Sequence, residues 1–141
     1  MNQKINCENA PASIGPYSQA VQCGSFLFLS GMMPIDPVSG VLVEDDVVLQ
    51  SKQIMKNIDA LLKNAGYTVE DVVKTTCFLT DMGNFGAFNE IYGNYFTNKP
   101  ARSCVAVREL PKRAMRKKRL YTAWAARVTG DTSKTRLMTT T

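Results

Sequence analysis

The sequence contains no histidine among its 141 residues. This absence excludes Ser-His and Cys-His nucleophiles, histidine-containing zinc sites and the usual proton shuttle at neutral pH. Any catalysis must therefore use a carboxylate, an arginine, a lysine, a tyrosine, a thiol, a backbone group or bound water.

Cysteine is also sparse, with four residues at positions 7, 23, 77 and 104. No two of them form a C-x-x-C pair of the kind that holds a metal. A chain of this length buries an ordinary core without cross-links, so we predict that all four thiols are reduced.

Long apolar runs are missing as well. No segment approaches the roughly 18 residues that a membrane-spanning helix requires, and the first residues lack the basic-then-apolar order of a secretory signal. We expect a soluble, cytoplasmic protein with no membrane partner. One domain over residues 1–128 is predicted, and residues 129–141 are predicted to be a disordered tail because they have no apolar period.

The charge is unevenly distributed. Residues 1–109 carry 8 Lys and Arg against 11 Asp and Glu, whereas residues 110–141 carry 9 against the single acid Asp131. A basic segment of this kind indicates nucleic acid, an acidic partner or plain solvation. Its densest part contains Arg113, Arg116, Lys117, Lys118 and Arg119.

Apolar periodicity predicts an α+β fold. A β-hairpin is expected over residues 17–30, with apolar side chains on both faces of its second strand, which is typical of a covered strand. An amphipathic helix follows over residues 46–65, with Gly66 in the position that favours a left-handed residue.

A strand is expected over residues 71–81 and a second helix over about 84–96. The aromatic stripe of that helix indicates core or subunit interface rather than a platform for nucleic-acid bases. A strand over residues 102–107 and one more after the turn at residues 110–112 complete the order β-β-α-β-α-β(β). We predict one sheet with two helices on one face.

Four stretches in this order resemble the RidA family, also called YjgF, of reactive-intermediate deaminases. They are "ENAPASIGPYSQAV", "LFLSG" followed by Pro34, "VVKTTCFLTDMGNFGAFNEIY" and "PARSCVAVRELPK". The resemblance covers residues 8–112. It implies a chorismate-mutase-like homotrimer with three clefts between subunits, and a cofactor-free hydrolysis of 2-imino acids or their enamines, such as 2-iminobutanoate and 2-iminopropanoate, to 2-oxo acids and ammonia.

The resemblance also implies the site residues. Arg102 is expected to be the catalytic anchor, because a guanidinium binds a carboxylate through two parallel hydrogen bonds. The remaining expected substrate-binding residues are Tyr17, Ser30, Gly31, Lys74, Asn89 and Cys104. Cys104 is expected to contribute its backbone and not a nucleophilic sulfur.

One departure from the family pattern concerns the last strand, which is atypical from about residue 113. Family members place a water-positioning glutamate there, and ungapped counting from Arg102 puts Lys117 at that position and Arg119 at a second glutamate. A lysine repels both Arg102 and a cationic intermediate, so the activity is expected to be weakened.

Two explanations of the basic run stay open at the sequence level. A paralogue that binds a small acid, RNA or an acidic protein through residues 113–119 is one, although aromatic residues do not interleave the cations before Tyr121. A shifted reading frame is the other, because synonymous codons for residues 113–120 exist that read as two glutamates in another frame.

Overall fold

The computed structural model describes residues 2–111 and 122–129. Within them, six strands form one mixed sheet in the order β1-β2-β3-β6-β4-β5, in which β4 and β5 are parallel and the other neighbours antiparallel. The strands are β1 Gln3–Ile5, β2 Ala20–Cys23, β3 Phe26–Leu29, β4 Val72–Leu79, β5 Ala101–Ala106 and β6 Thr122–Thr129. The helices are α1 Val47–Asn64 and α2 Phe85–Tyr95, which confirms the predicted α+β class.

The predicted hairpin is formed by β2 and β3, joined by a turn in which Gly24 has a φ of 59°. Leu27 and Leu29 point into the core, where both are buried. Phe26 and Phe28 alternate with them and remain 47% and 41% exposed. The expectation of cover on both faces is therefore met on only one face within a single chain.

The first helix confirms its prediction closely. The Asp46 side chain caps its start by accepting a hydrogen bond of 2.9 Å from the Leu49 backbone N–H, which satisfies one of the donors that a helix start leaves free. Gly66, just past the end of the helix, has a φ of 83°, a conformation that glycine adopts without steric cost. Its buried apolar residues include Ile54, Ile58, Leu61 and Leu62.

The second helix carries the aromatic stripe predicted to lie in the core. Phe88, Tyr92 and Phe96 are buried and stack in sequence, with ring centroids 5.8 Å and 4.7 Å apart. Both helices pack on the same face of the sheet, against Leu27, Leu79 and their neighbours. Neither α1 nor α2 is long and apolar enough to cross a membrane.

The alternation along β4 departs from a simple period at its start. A bulge lies between Val72 and Lys74, and it lets Val72 be buried although Thr75 and Cys77 are buried too. From Thr75 onward the alternate residues face the helices. This register matters because it decides which side chains of β5 also face the helices.

A strand after the turn at residues 110–112 was predicted, and β6 is that strand. It begins only at Thr122 and pairs with both β3 and β4, so it lies inside the sheet. The basic residues Arg113, Arg116, Lys117, Lys118 and Arg119 lie outside the described residues, as does the predicted tail beyond Thr129. The short strand β1 was not predicted.

Candidate substrate-binding site

Arg102 lies at the start of β5, where it pairs with Thr75 and therefore faces the helices. Its Nη1 donates a hydrogen bond of 2.6 Å to Oδ1 of Asn89 on α2. Its Cζ lies 4.6 Å from the ring centroid of Tyr92 and 5.6 Å from that of Phe85. We call Arg102, Asn89, Tyr92 and Phe85 the arginine anchor. The hydrogen bond and the ring contacts hold the guanidinium in one orientation.

Tyr92 is itself held rigidly beneath the guanidinium. Its hydroxyl and the Thr75 hydroxyl share a buried hydrogen bond of 2.7 Å. Burial raises the pKa of Tyr92, although the Thr75 bond and the nearby Arg102 oppose that shift. The phenol therefore stays neutral, and its ring presents an electron-rich face to the cation.

The charge of Arg102 is uncompensated within the described part of the chain. The ion pair found there joins Lys63 to Asp59 on α1, and no carboxylate lies within 4.0 Å of Arg102. The side chain is exposed, and a guanidinium has five N–H donors of which Asn89 takes one. An exposed, oriented and unpaired guanidinium is suited to bind a carboxylate from solution.

Two thiols lie on the same side of the sheet as the arginine anchor. Cys77 and Cys104 are direct partners across β4 and β5. Burial raises the pKa of Cys77 to about 12, and burial also raises the pKa of Cys104 against the opposing effect of Arg102. Both sulfurs are therefore protonated at neutral pH, which favours a packing role over a nucleophilic one.

Lys74 lies on the opposite face of the sheet from Arg102. It pairs with Ala101, and its Nζ donates a hydrogen bond of 2.9 Å to the Ser103 hydroxyl. Since neighbouring side chains of a strand point to opposite faces, Lys74 and Arg102 do not share a face of the sheet, although both were expected to bind substrate.

Three further residues expected to bind substrate lie together at a second location in the structure. Tyr17, Ser30 and Gly31 line a groove of about 640 Å³ beside the carboxyl ends of β4 and β5. We call it the groove. Its other described lining residues are Ile14, Met33, Phe78, Val107, Glu109, Leu110 and Pro111. This volume is within the range of small-molecule sites.

The polar groups of the groove differ in their availability. The Ser30 hydroxyl donates a hydrogen bond of 2.6 Å to the Ser18 carbonyl, so its proton is already engaged. Tyr17 is 45% exposed, and a Cβ added at Gly31 would meet nothing within 4 Å, so the groove is open at both residues.

The segment that leads into the groove is fastened by a residue that sequence reasoning missed. The buried side chain of Gln19 accepts a hydrogen bond of 2.6 Å from the Cys7 N–H and donates to the carbonyls of Cys7 and Pro11 at 3.0 Å and 2.8 Å. A glutamine in a polar loop gives no sequence signal for such a role. Its amide closes the loop of residues 7–19 next to Tyr17.

Glu109 is the second residue that was missed. It lines the groove with Tyr17 and Ser30, and among the described lining residues it is the one carboxylate. The family pattern has its acid after the Leu110-Pro111 turn, whereas Glu109 precedes that turn by one residue. The available signal was an acid at the end of a strand whose start holds the expected arginine.

The arginine anchor and the groove lie at opposite ends of β5. Arg102 and Val107 are five residues apart along extended chain, which places their Cα atoms about 16 Å apart. An imino acid with a few heavy atoms cannot span that distance. Within one chain the predicted residues therefore form two half-sites, one cationic and one anionic.

The fold and these half-sites define a small α+β protein with an exposed arginine oriented by a helix. The family model described as Endoribonuclease L-PSP matches residues 7–116. A RutC family protein of Pyrococcus horikoshii is 50% identical over 113 residues, covering 79% of this chain and 90% of that protein. The 2-iminobutanoate/2-iminopropanoate deaminase of Salmonella typhimurium is 46% identical over 116 residues, covering 79% and 90%.

The solved structures agree with these relatives. The structure of the Rid family protein YyfA from Yersinia pestis, whose function is given as unknown, is 41% identical with a TM-score of 0.85, covering 92% of this chain and all of that one. The chain belongs to the Endoribonuclease L-PSP family, which includes the RutC and Rid proteins. The resemblance drawn from the four sequence stretches is thereby confirmed.

Proposed function

We propose that this protein hydrolyses 2-imino acids, such as 2-iminobutanoate and 2-iminopropanoate, or their enamine tautomers, to 2-oxo acids and ammonia. The observation that carries the proposal is the arginine anchor, an exposed guanidinium oriented by Asn89 and Tyr92, beside which the described residues place no carboxylate. A 2-imino acid supplies the missing carboxylate. The deaminase name of the Salmonella relative supports the same substrate class.

The chemistry needs little from the protein beyond positioning and one proton transfer. Water adds to the C=N carbon, the resulting tetrahedral amino alcohol loses ammonia, and a 2-oxo acid remains. Holding the substrate carboxylate on Arg102 fixes the reactive carbon relative to the remaining groups, which lowers the entropic part of the barrier. No step in this sequence calls for a redox cofactor.

The proposal includes a homotrimer of chorismate-mutase-like architecture, because one chain keeps its half-sites about 16 Å apart. A neighbouring subunit would bring its groove to the first subunit's arginine anchor. The outer face of the sheet supports such an assembly, since large apolar side chains lie exposed on it where a partner sheet could cover them. They are Phe26, Phe28 and Val105.

The test is an imine assay coupled to a PLP-dependent threonine dehydratase, following 2-oxobutanoate release above the uncatalysed rate. We expect the wild-type chain to accelerate release and Arg102→Ala to lose about 100- to 1,000-fold in kcat/KM, because a desolvated charge pair is lost. Arg102→Lys keeps the charge without the planar fork and should fall between the two.

The matched control is Lys56→Ala, which removes one exposed positive charge from α1, away from β5. It should keep wild-type kcat/KM. A wild-type chain that leaves the uncatalysed rate unchanged would refute the proposal, and so would an Arg102→Ala variant with full activity.

A second candidate function, in a catalytically silent relative, is binding of a small acid or of RNA through the basic run. It is favoured by the net charge of +8 over residues 110–141 and by the family model's description as an endoribonuclease. Deleting the run together with everything after it would remove the central strand β6, so substitution is the better test.

The variant to use is Lys117→Gln, Lys118→Gln and Arg119→Gln combined, with fluorescence anisotropy of a single-stranded RNA as the measurement. Specific use of these three cations predicts weaker binding and a salt slope smaller by about 2. Unchanged affinity and slope would exclude the run as an RNA site.

A further inference from the structure

The described residues that line the groove include few groups able to accept a proton from water. The chain has no histidine, and the Ser30 hydroxyl is already engaged with the Ser18 carbonyl. Tyr17 carries a phenol, which is chiefly a donor at neutral pH. Glu109 alone among the described lining residues carries an anionic oxygen.

The chain on both sides of Glu109 is held in place by contacts within the fold. Two residues before it, the Val107 N–H donates a hydrogen bond of 2.8 Å to the Leu79 carbonyl, which continues the β4–β5 pairing past the end of β5. Directly after it, Leu110 is buried. Glu109 itself is exposed, so its carboxylate is accessible to solvent while these two contacts hold its backbone in place.

The electrostatic setting also suits a base. No lysine or arginine is among the described residues that line the groove, so no cation there pairs with the carboxylate. Its lining is otherwise largely apolar, with Ile14, Met33 and Phe78. Within the described part of the chain, the carboxylate is therefore not held in an ion pair and is accessible to a water molecule in the groove.

We propose that Glu109 is the general base of the imine hydrolysis, an inference that rests on the proposed function. As water attacks, its oxygen bonds to the imine carbon, one of its O–H bonds breaks, and the proton passes to the Glu109 carboxylate. The C=N electron pair moves to nitrogen. Glu109 then returns the proton to that nitrogen, which gives the neutral amino alcohol. In the second half of the reaction Glu109 takes the proton of the new hydroxyl and passes it to the nitrogen, the O–H electron pair forms the C=O bond, and the C–N bond breaks as ammonia leaves.

This role does not require a carboxylate in the basic run. The position at which the family pattern has its glutamate holds Lys117 in this chain. Glu109 restores a proton acceptor to the half-site that contains Tyr17 and Ser30. The substrate carboxylate on Arg102 and the base in the groove then act on opposite ends of one small molecule.

The experiment measures kcat and KM from pH 5 to 9 for the full-length wild type, Glu109→Gln and Glu109→Asp. The control is Glu70→Gln, because Glu70 is exposed just before β4, at the end of that strand away from the groove. We expect Glu109→Gln to lower kcat by about 100- to 10,000-fold with a smaller change in KM, and to remove the fall of kcat toward acidic pH. Glu109→Asp should retain part of kcat together with its acidic limb.

The outcomes separate the two proposals. An active wild type whose kcat and pH profile survive Glu109→Gln refutes the role of Glu109 and leaves the proposed function standing. An inactive wild type refutes both. A loss of kcat in Glu109→Gln that Glu70→Gln matches would mark a general effect of removing a carboxylate, and it would also overturn the inference. Far-UV circular dichroism and native mass verify that each variant folds and assembles.

Discussion

The two ends of β5 are built in opposite ways. At its start, Arg102 packs on two aromatic rings and is hydrogen-bonded to a helix, so its charge is held by tertiary contacts. At its end, Glu109 stands on a loop between a strand and a buried leucine, beside an open groove. One end is rigid and cationic, the other open and anionic.

The comparison shows that each end of β5 lacks the charged group that the other end has. Among the described residues, the arginine anchor has hydrogen-bond donors and no carboxylate, whereas the groove has the carboxylate of Glu109 and no cation. Because a strand of this length keeps them apart, the proposed reaction needs the ends of two different chains. The comparison can therefore be tested by placing the intact arginine anchor and the intact groove on two different variants of the chain.

The largest expected effect is complementation between two inactive variants. Arg102→Ala and Glu109→Gln should each be nearly inactive alone, whereas mixed oligomers of the proposed trimer would contain clefts whose anchor and groove are both intact. Random mixing after co-expression in equal amounts restores about a quarter of the sites. The measurement is imine hydrolysis by purified hetero-oligomers carrying two different tags.

Its control is a mixture of the two variants assembled separately, which should stay inactive. Failure of the co-assembled trimers to gain activity, when each tag pulls down the other, would mean that anchor and groove act within one chain.

The next effect is on assembly. Val105 is 45% exposed on the outer face of the sheet, and Val105→Asp would place three like charges around a shared interface. We expect the oligomer to dissociate and imine hydrolysis to be lost with it, as read by native mass spectrometry and the coupled assay.

Val38→Asp is the matched control for that variant, since Val38 is 96% exposed in a loop and the same change there should alter neither mass nor activity. A Val105→Asp protein that keeps the wild-type mass would remove the outer face from the interface.

A smaller effect is expected at the residue that orients the anchor. Asn89→Ala removes the 2.6 Å hydrogen bond to Arg102 but leaves the ring contacts, so KM should rise about tenfold, equivalent to one moderate hydrogen bond to a charged group. Steady-state kinetics checks this value. Asn94→Ala, exposed on the same helix, should leave KM unchanged, and an equal rise in both variants would indicate a general weakening of α2.

The smallest effect concerns the thiol beneath the anchor. The pKa of Cys77 is raised by burial to about 12, so the folded state retains its proton where the unfolded state loses it. The resulting stability is present below the ordinary thiol pKa and is lost as pH rises from about 9 toward 12. Urea unfolding at pH 7.5 and pH 10 should show a smaller loss of stability for Cys77→Ala than for the wild type, although that variant starts from a lower value because of the cavity.

Parallel alkaline slopes for Cys77→Ala and the wild type would assign the loss to other groups. Tyr92 and Cys104, whose pKa values are also raised by burial, are the groups to examine in that case.

Several parts of the fold were predictable because local signals carried them. Helix α1 has an apolar period, an aspartate cap and a glycine at its end, and all three effects act within a few residues. The hairpin and the aromatic core of α2 were predicted for the same reason. Strand β1 and the bulge in β4 were not, because neighbouring strands decide both.

The structure brings only some of the expected site residues together. Motif spacing named Arg102 and Asn89, which do meet, and Tyr17, Ser30 and Gly31, which share the groove. Lys74 was also expected to bind substrate, but strand register places it on the face opposite to Arg102. Glu109 carried no motif and was found only through the groove that it lines.

The sequence by itself determined the helices, the hairpin, the family and the presence of an arginine suited to a carboxylate, because periodicity, caps and motifs are local properties of the chain. Only the tertiary structure decided that this arginine is oriented by α2, that its partners are split between the two ends of β5, and that Glu109 enters the groove. Those facts depend on register and packing between residues distant in sequence, and no local pattern encodes them.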